Sequence, residues 1–199
     1  MALIKLNDRA VKDVTQFGSI SSLGSLTHIS TATASSSASI EFTSGIDSTY
    51  KEYVFYFVNI HTSATANFTF NGSTDSGSNY NTTKTTTHFT PGHNEADSST
   101  YLDYDTGKDL AQSTSFQSLG YGITTGNDES LSGYMHLFNP SSTTFVKHFI
   151  ASVQYYDSNF SQNSFVAGYM NTTSAVDAIK FQMSSGNIDS GEILLFGVN

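Results

Sequence analysis

Residues 44–61, SGIDSTYKEYVFYFVNIH, decide the fold of this chain. A turn-forming cluster gives way to aromatic and β-branched residues, a composition that suits a pleated, half-buried strand. Side chains alternate between the two faces of a strand, so the odd positions from Tyr53 to Phe57 face one way and the even positions from Val54 to Val58 the other. Both faces are apolar or aromatic. The stretch therefore predicts a strand near the centre of a sheet, with cover on both faces.

The composition limits the size and chemistry of the protein. Its 199 residues suffice for one domain, or for one domain with an arm. Only 37% of the residues are hydrophobic but 13% are aromatic, so large rings are expected to supply much of the core. The sequence contains no cysteine, which excludes disulfides, thiol chemistry and cysteine-bound metals.

The charge pattern limits the partners. The formal net charge is −9 and no long basic patch occurs, so nucleic acid is not an expected partner. No apolar run reaches the length of a signal peptide or a membrane span, so membrane insertion is not expected either.

The first residues differ from the rest. Residues 1–20 are predicted to be an anchoring arm, because apolar residues recur in 2–17 at helical intervals along a narrow stripe. Such a stripe suits a seam against another chain, and a frayed terminus is the alternative. Residues 21–37 are predicted to be a Ser/Thr/Gly-rich linker with a weak strand at 26–30. The predicted anchoring and oligomerisation residues are Leu3, Leu6, Arg9, Val14 and Phe17.

From residue 38 onwards, strand signals recur about every ten to fifteen residues, the spacing of a sandwich or barrel. Pro91 and Pro140 are each expected just after a strand end, where the missing N–H costs no ladder bond. Without a convincing crossover helix, we predict an all-β fold, a jelly-roll-like antiparallel β-sandwich over 38–199. Strands are predicted near 38–44, 50–61, 66–72, 79–90, 112–120, 130–138, 144–156, 163–171, 177–184 and 191–198.

Residues 73–80, STDSGSNY, resemble the Asp-box hairpin S-x-D-x-G-x-T-W of sialidases and other β proteins, with Asn79 and Tyr80 in place of Thr and Trp. In that motif the Asp accepts hydrogen bonds from turn amides, the Gly takes a strained dihedral angle and the ring packs beneath. The resemblance implies a structural turn built on Asp75, Gly77 and Tyr80. A calcium site is the alternative, although the oxygen ligands are too few.

Two groups of polar residues are candidates for metal binding or catalysis. The first shares one loop but matches no zinc spacing, and consists of His88, His93, Glu95 and Asp97. The second holds carboxylates in predicted loops, where charges are ordinarily solvated, and consists of Asp97, Asp103, Asp105, Asp109, Asp128 and Glu129. No nucleophile elbow, P-loop or dinucleotide motif occurs. We therefore expect no enzyme activity, no cofactor and no metal.

Loops rich in Tyr, Asn, Ser and Gly offer amphipathic contact area with adaptable hydrogen bonding. Such a surface suits a sugar, whose ring stacks on aromatic faces, and it equally suits a wet protein–protein contact. The sequence leaves both open. His136 and His148 are predicted on strands, as core or interface residues. The predicted surface-binding residues are Tyr101, Tyr104, Tyr121, Tyr155, Tyr156 and Asn159.

Four segments resemble proteins encoded by tailed bacteriophages of marine bacteria, and the similarity runs over almost the whole chain. The segments are 1–19, 44–61, 130–149 and 165–198. The closing stretch SGEILLFGV is similar to the strand G-x-I-x-L-Y-G of phage fibre and appendage domains, with Phe196 where Tyr is usual. These segments are strand cores and turns. The resemblance therefore implies a structural role in a virion and identifies no site residue.

The resemblance and the all-β head together predict a small tail fibre, spike or head appendage, made in the host cytoplasm and displayed on the virion surface. Its arm would dock on portal, tail or capsid proteins, and a homotrimer is expected by analogy. The sandwich would contact the host surface, with a surface glycan as the candidate receptor. The alternatives are a capsid decoration protein that stabilises the head shell and a polysaccharide depolymerase that uses Asp103, Asp105 or Asp128.

Overall fold

The computed structural model describes residues 25–199, which form strands and their connections without a helix. These residues confirm the predicted all-β antiparallel sandwich. The predicted arm at 1–20 lies outside the described residues, together with its anchoring residues Leu3, Leu6, Arg9, Val14 and Phe17.

The strands of the described range are β1 (Leu26–Thr33), β2 (Ile40–Phe42), β3 (Glu52–Thr62), β4 (Ala66–Ser73), β5 (Lys84–Asn94), β6 (Thr100–Tyr104), β7 (Gln117–Ile123), β8 (Leu131–Phe138), β9 (Lys147–Asp157), β10 (Phe160–Met170), β11 (Ala178–Met183) and β12 (Ile188–Val198). The large sheet has eight strands in the order β1-β12-β3-β8-β9-β10-β5-β6. The small sheet has four, in the order β2-β11-β4-β7. All neighbouring strands are antiparallel.

Strand β3, formed by the decisive stretch, lies inside the large sheet between β12 and β8, as predicted. Tyr53, Phe55 and Phe57 are buried against the small sheet. On the opposite face Val54 is buried, but Val58 is 41% exposed and no second sheet of the described residues covers that face, so the expected cover on both faces is only partly found.

The core is built around Phe181 of β11. Its ring centroid lies 5.2 Å from those of both Phe55 and Phe57 in the large sheet. It also stacks on Phe68 at 5.8 Å, within the small sheet. Edge-to-face and offset contacts at these distances add to the free energy gained from burying the rings. The aromatic residues therefore join the two sheets, as the composition predicts.

The outermost strands of the large sheet, β1 and β6, contain many polar residues. The sequence patterns give only a weak signal for β1 and none for β6. Residues 21–37 are predicted to be a linker with a weak strand at 26–30, and the structure confirms that strand as the longer β1 (Leu26–Thr33), which pairs with the closing strand β12. Thr100–Tyr104 forms β6, a strand that the sequence does not predict, along β5. Edge strands face solvent and need little apolar character, so hydrophobic patterns detect them poorly.

Pro91 lies inside β5 and not after its end, so that prediction is wrong. It pairs with Leu102 of β6, while on the other side the pairing of β5 with β10 lapses between Phe89 and Gly92 without a change of register. The interruption accommodates a residue without an N–H group, which is the condition for proline within a sheet. Pro140, in contrast, follows the end of β8 as predicted.

Candidate functional site

The large sheet has one face without a covering layer among the described residues, and we call it the outer face. It consists of the side chains that alternate with the buried ones on β12, β3, β8, β9, β10, β5 and β6. Apolar and aromatic residues on this face remain accessible to solvent. They include Val58, Phe89, Tyr104, Tyr134, Ile150 and Phe165.

An aromatic row crosses the outer face at right angles to the strands. Each member pairs directly with the next on the neighbouring strand, so all of them share one face. At a strand spacing of about 4.8 Å, the row extends over about 24 Å. In order from β3 to β6, the row consists of Tyr56, Tyr134, Ser152, Phe165, Phe89 and Tyr104.

The rings of the row are held in place while their surfaces stay accessible. Phe89 and Phe165 stack with centroids 5.0 Å apart and planes inclined by 15°. Tyr56 meets Phe196 of β12 edge to face at 5.6 Å. Tyr134 is 39% exposed and Tyr104 is 53% exposed. The row is therefore an accessible aromatic surface, in which the rings of Phe89 and Phe165 lie face to face.

A shallow apolar groove of about 480 Å³ lies beside the row. Ala167 is a small residue between the larger Phe165 and Tyr169 on the same face of β10, and it lowers the floor of the groove. His148 lines this groove and also an adjoining depression of about 510 Å³, which contains Phe145 with 68% of its surface exposed. The accessible apolar surface thus extends from the row to the end of β8.

Polar groups accompany the aromatic rings. His136, next to Tyr134 on the outer face, lies with its Nδ1 atom 2.5 Å from Glu52 Oε1, and both side chains are partly exposed. Its ring also meets Tyr134 edge to face at 5.2 Å. His148 packs against Tyr169 at 6.2 Å. Both histidines therefore lie on the solvent-accessible outer face and not in the core.

The predicted surface tyrosines lie mostly on strands, not in loops. Tyr104 joins the aromatic row. Tyr121 is exposed on β7 of the small sheet, where the Lys108 ammonium lies 4.0 Å above its ring. The prediction for Tyr155 is wrong: it points inward and is fully buried, with its hydroxyl 3.2 Å from Gln162 Oε1. The remaining predicted residues are the half-buried Tyr101 on β6 and Tyr156 on β9, and Asn159 in the β9–β10 turn.

Asp75 is the acceptor at the centre of the turn that resembles an Asp box. It accepts hydrogen bonds from the Asn79 side chain at 2.7 Å, the Ser73 hydroxyl at 2.6 Å and the Asn79 amide at 2.8 Å. These bonds lower the pKa of Asp75 to about 2. Gly77 has a φ of 86°, which favours glycine, and Tyr80 packs against it. All these contacts are internal to the turn.

The structure separates the histidines of the candidate metal group. His88 is fully buried on the inner face of β5. His93 is exposed and lies 3.0 Å from Asp97, with Glu95 beside it in the turn. Within residues 25–199, no three His, Cys, Asp or Glu side chains are grouped as metal ligands would be.

His88 is expected to make the stability of the protein sensitive to acid. Burial lowers its pKa and outweighs the opposing effect of Asp105, whose carboxylate lies 3.7 Å from Nδ1. Below the ordinary pKa of about 6.5, the unfolded chain binds a proton that the folded protein does not, so the free energy of unfolding falls as the pH falls.

We expect His88→Leu to reduce this fall in the free energy of unfolding, measured by urea unfolding between neutral and acidic pH. His93→Leu, at an exposed position, should keep the wild-type dependence, and the same dependence in His88→Leu would contradict the assignment.

The candidate catalytic carboxylates lie in separate places. Asp103 and Asp105 belong to β6 and its end, whereas Asp128 and Glu129 line a polar depression that precedes β8. A hydrogen bond from Thr124, and further ones from backbone amides, lower the pKa of Glu129. The acid of a glycosidase requires a raised pKa, so Glu129 is tuned in the opposite direction. Asp109 accepts a hydrogen bond from Tyr104 at 2.8 Å, and Asp97 pairs with His93.

Comparison with known proteins gives no family model, no curated protein and no solved structure that matches the chain. Among the described residues, no helix has the length and apolar character needed to cross a membrane. The candidate site therefore rests on the geometry of the outer face. Sequence reasoning identified one member of the aromatic row, Tyr104, as a surface-binding residue.

Proposed function

We propose that this chain is a non-enzymatic structural protein of a tailed-phage virion, a small fibre, spike or head appendage that attaches to the host surface. The observation that carries the proposal is the aromatic row on the uncovered outer face. Exposed apolar patches bounded by polar residues mark interaction sites in soluble proteins. The resemblance of four segments to phage proteins supplies the biological setting.

The chemistry of the outer face suits a polysaccharide. Exposed aromatic rings offer apolar surface against which sugar rings pack, as they do in many sugar-binding proteins. Ser152 interrupts the row between Tyr134 and Phe165 and offers a hydroxyl group at that point. His136 and Glu52 add a donor and acceptor pair beside the rings. This combination of stacking surfaces and hydrogen-bonding groups supports a bacterial surface glycan as the ligand.

A second candidate function is capsid decoration, in which the outer face packs on the head shell. The observation that favours it is Phe145, which is 68% exposed beside Phe138 in an apolar depression. Large exposed rings in a depression resemble the anchors of protein–protein interfaces. In this function the row would be covered in the particle and no glycan would bind.

Quantitative mass spectrometry of purified virions tests the two functions. We expect the protein to copurify with particles in a few copies each, as an appendage does, whereas hundreds of copies per particle would establish decoration. Deletion of residues 1–20 should leave a folded, soluble sandwich that no longer joins particles. Absence of the protein from particles would contradict both functions, and normal incorporation of the truncated chain would contradict the anchoring role of the arm.

A further inference from the structure

Lys84 is a buried lysine with unusual surroundings. It lies on the inner face of β5 with no exposed surface. Its Nζ donates to Asn71 Oδ1 at 2.5 Å and to the Thr82 carbonyl at 2.8 Å. Both partners are neutral oxygens. An uncharged amine has two N–H groups, so these two acceptors are sufficient for both of them.

Burial lowers the pKa of Lys84 to about 7, so a large share of the amine is uncharged at neutral pH. An uncharged amine carries the lone pair that makes lysine a nucleophile.

The side-chain amide of Asn71, on β4, is held in one orientation. Its Oδ1 accepts hydrogen bonds from the Gly72 amide at 2.9 Å and the Thr82 hydroxyl at 3.0 Å, in addition to Lys84. Its Nδ2 donates to the carbonyls of Tyr80 at 2.8 Å and Thr114 at 2.9 Å. Two donors besides the amine therefore point at the oxygen on which negative charge would develop if Cγ were attacked. This is the arrangement of an oxyanion hole.

The distance between the reacting atoms is short. A C=O bond measures about 1.2 Å, so Lys84 Nζ lies no more than about 3.7 Å from Asn71 Cγ. Reacting atoms in enzyme sites are held at similar separations of about 3 to 3.5 Å. Both side chains are fully buried, which excludes the water that would compete as a nucleophile.

We propose that Lys84 and Asn71 form an intramolecular amide bond after folding. The amine nitrogen attacks Cγ, and the oxygen of the tetrahedral intermediate is stabilised by Gly72 N–H and Thr82 O–H. One proton passes from Nζ to Nδ2, the Cγ–Nδ2 bond breaks, and ammonia leaves. The products are a secondary amide, which retains one N–H, and one molecule of ammonia. No oxidant, metal or cofactor takes part.

The bond would join the two sheets covalently. Asn71 belongs to β4 of the small sheet and Lys84 to β5 of the large sheet, and the Asp-box-like turn lies between them in sequence. The chain has no cysteine, so this amide would supply the covalent link that a disulfide supplies in many exported proteins.

Lys147 provides a matched control. It is also fully buried. Met170 of β10 pairs with Lys147 of β9 on one side and with Lys84 of β5 on the other, so the two lysines flank the same residue. Burial lowers its pKa as well. However, its Nζ donates to the backbone carbonyls of Phe145 at 2.8 Å and Thr172 at 3.1 Å, and no side-chain amide is among these partners. Lys147 therefore has the buried amine without the target carbon.

Intact-mass spectrometry of the full-length protein tests the proposal. We expect a mass below that of the sequence by one ammonia. Acylated Lys84 resists trypsin, so digestion should yield one peptide covering 52–108, also lighter by one ammonia. Separate, unmodified peptides 52–84 and 85–108 would overturn the proposal.

A competing reaction also releases ammonia: the backbone nitrogen of Gly72 attacks Cγ of Asn71, and the side chain cyclises. Two variants distinguish this reaction from the proposed one. Lys84→Met should show the unmodified mass, whereas Lys147→Met should keep the loss of ammonia. Loss of ammonia that persists in Lys84→Met would assign the reaction to the Asn–Gly sequence and overturn the proposal. The tryptic digest of the wild-type protein also distinguishes the two reactions, because trypsin still cleaves after Lys84 if Asn71 has cyclised.

Discussion

Replacement of Phe181 with alanine is expected to lower the free energy of unfolding by about 3 to 5 kcal/mol, the range observed for large aromatic residues removed from a core. Phe181 is fully buried and contacts rings from both sheets, among them Phe55, Phe57 and Phe68. Its removal leaves a cavity between the sheets that rigid neighbouring rings fill poorly. Urea unfolding followed by circular dichroism measures the loss.

Phe165→Ala is the matched control for this effect. Phe165 is 36% exposed on the outer face and contacts Phe89 at 5.0 Å. Its removal eliminates one stacked aromatic pair, which contributes about 0.5 to 1.5 kcal/mol in addition to the free energy of burying the ring surface. A loss in Phe165→Ala as large as that in Phe181→Ala would show that the outer face is as much a part of the core as the inner face.

The double substitution Tyr134→Ala and Phe165→Ala is expected to weaken binding to purified bacterial lipopolysaccharide at least about tenfold, which corresponds to about 1.4 kcal/mol. Both rings belong to the aromatic row, on either side of Ser152. Truncation removes the surfaces on which sugar rings would stack and leaves the buried core in place. Biolayer interferometry with immobilised lipopolysaccharide measures the change.

Tyr121→Ala is the control for binding. Tyr121 is 42% exposed and Tyr134 is 39% exposed, but Tyr121 lies on β7 of the small sheet. The sequence predicts Tyr121 as a surface-binding residue, but it lies on the sheet that does not carry the row, so we expect its replacement to leave the affinity unchanged. Equal losses in the control and in the double variant would contradict the assignment of the row as the binding surface. Wild-type protein that binds no lipopolysaccharide but does bind purified particles would favour the decoration function.

The sequence predicts the fold well because the decisive patterns are local. The apolar residues on both faces of 53–58 predict β3 inside a sheet, and the structure places it between β12 and β8, although only the face with Tyr53, Phe55 and Phe57 packs against the small sheet. The strands at the edges are predicted poorly, since β1 and β6 face solvent and carry hydroxyl and charged residues. The proline within β5 depends on a break in pairing with β10, which no local pattern reveals.

The candidate site is harder to predict because it depends on register. Tyr56, Tyr134 and Phe165 are distant in sequence, and only the pairing of β3, β8, β9 and β10 brings them into one row. Tyr155 shows the converse, since it lies within the predicted strand 144–156, and the alternation along that strand directs it into the core and not to the surface. The contact between Asn71 and Lys84 likewise requires the packing of the two sheets.

Hydroxyl-radical footprinting of the full-length protein, with and without purified lipopolysaccharide, tests most directly the claim that the outer face is the attachment surface. The account predicts protection of Tyr134, Phe165 and Phe89 on binding, with Tyr121 labelled equally in both states. Protection of Tyr121 while the row stays fully labelled would contradict the claim.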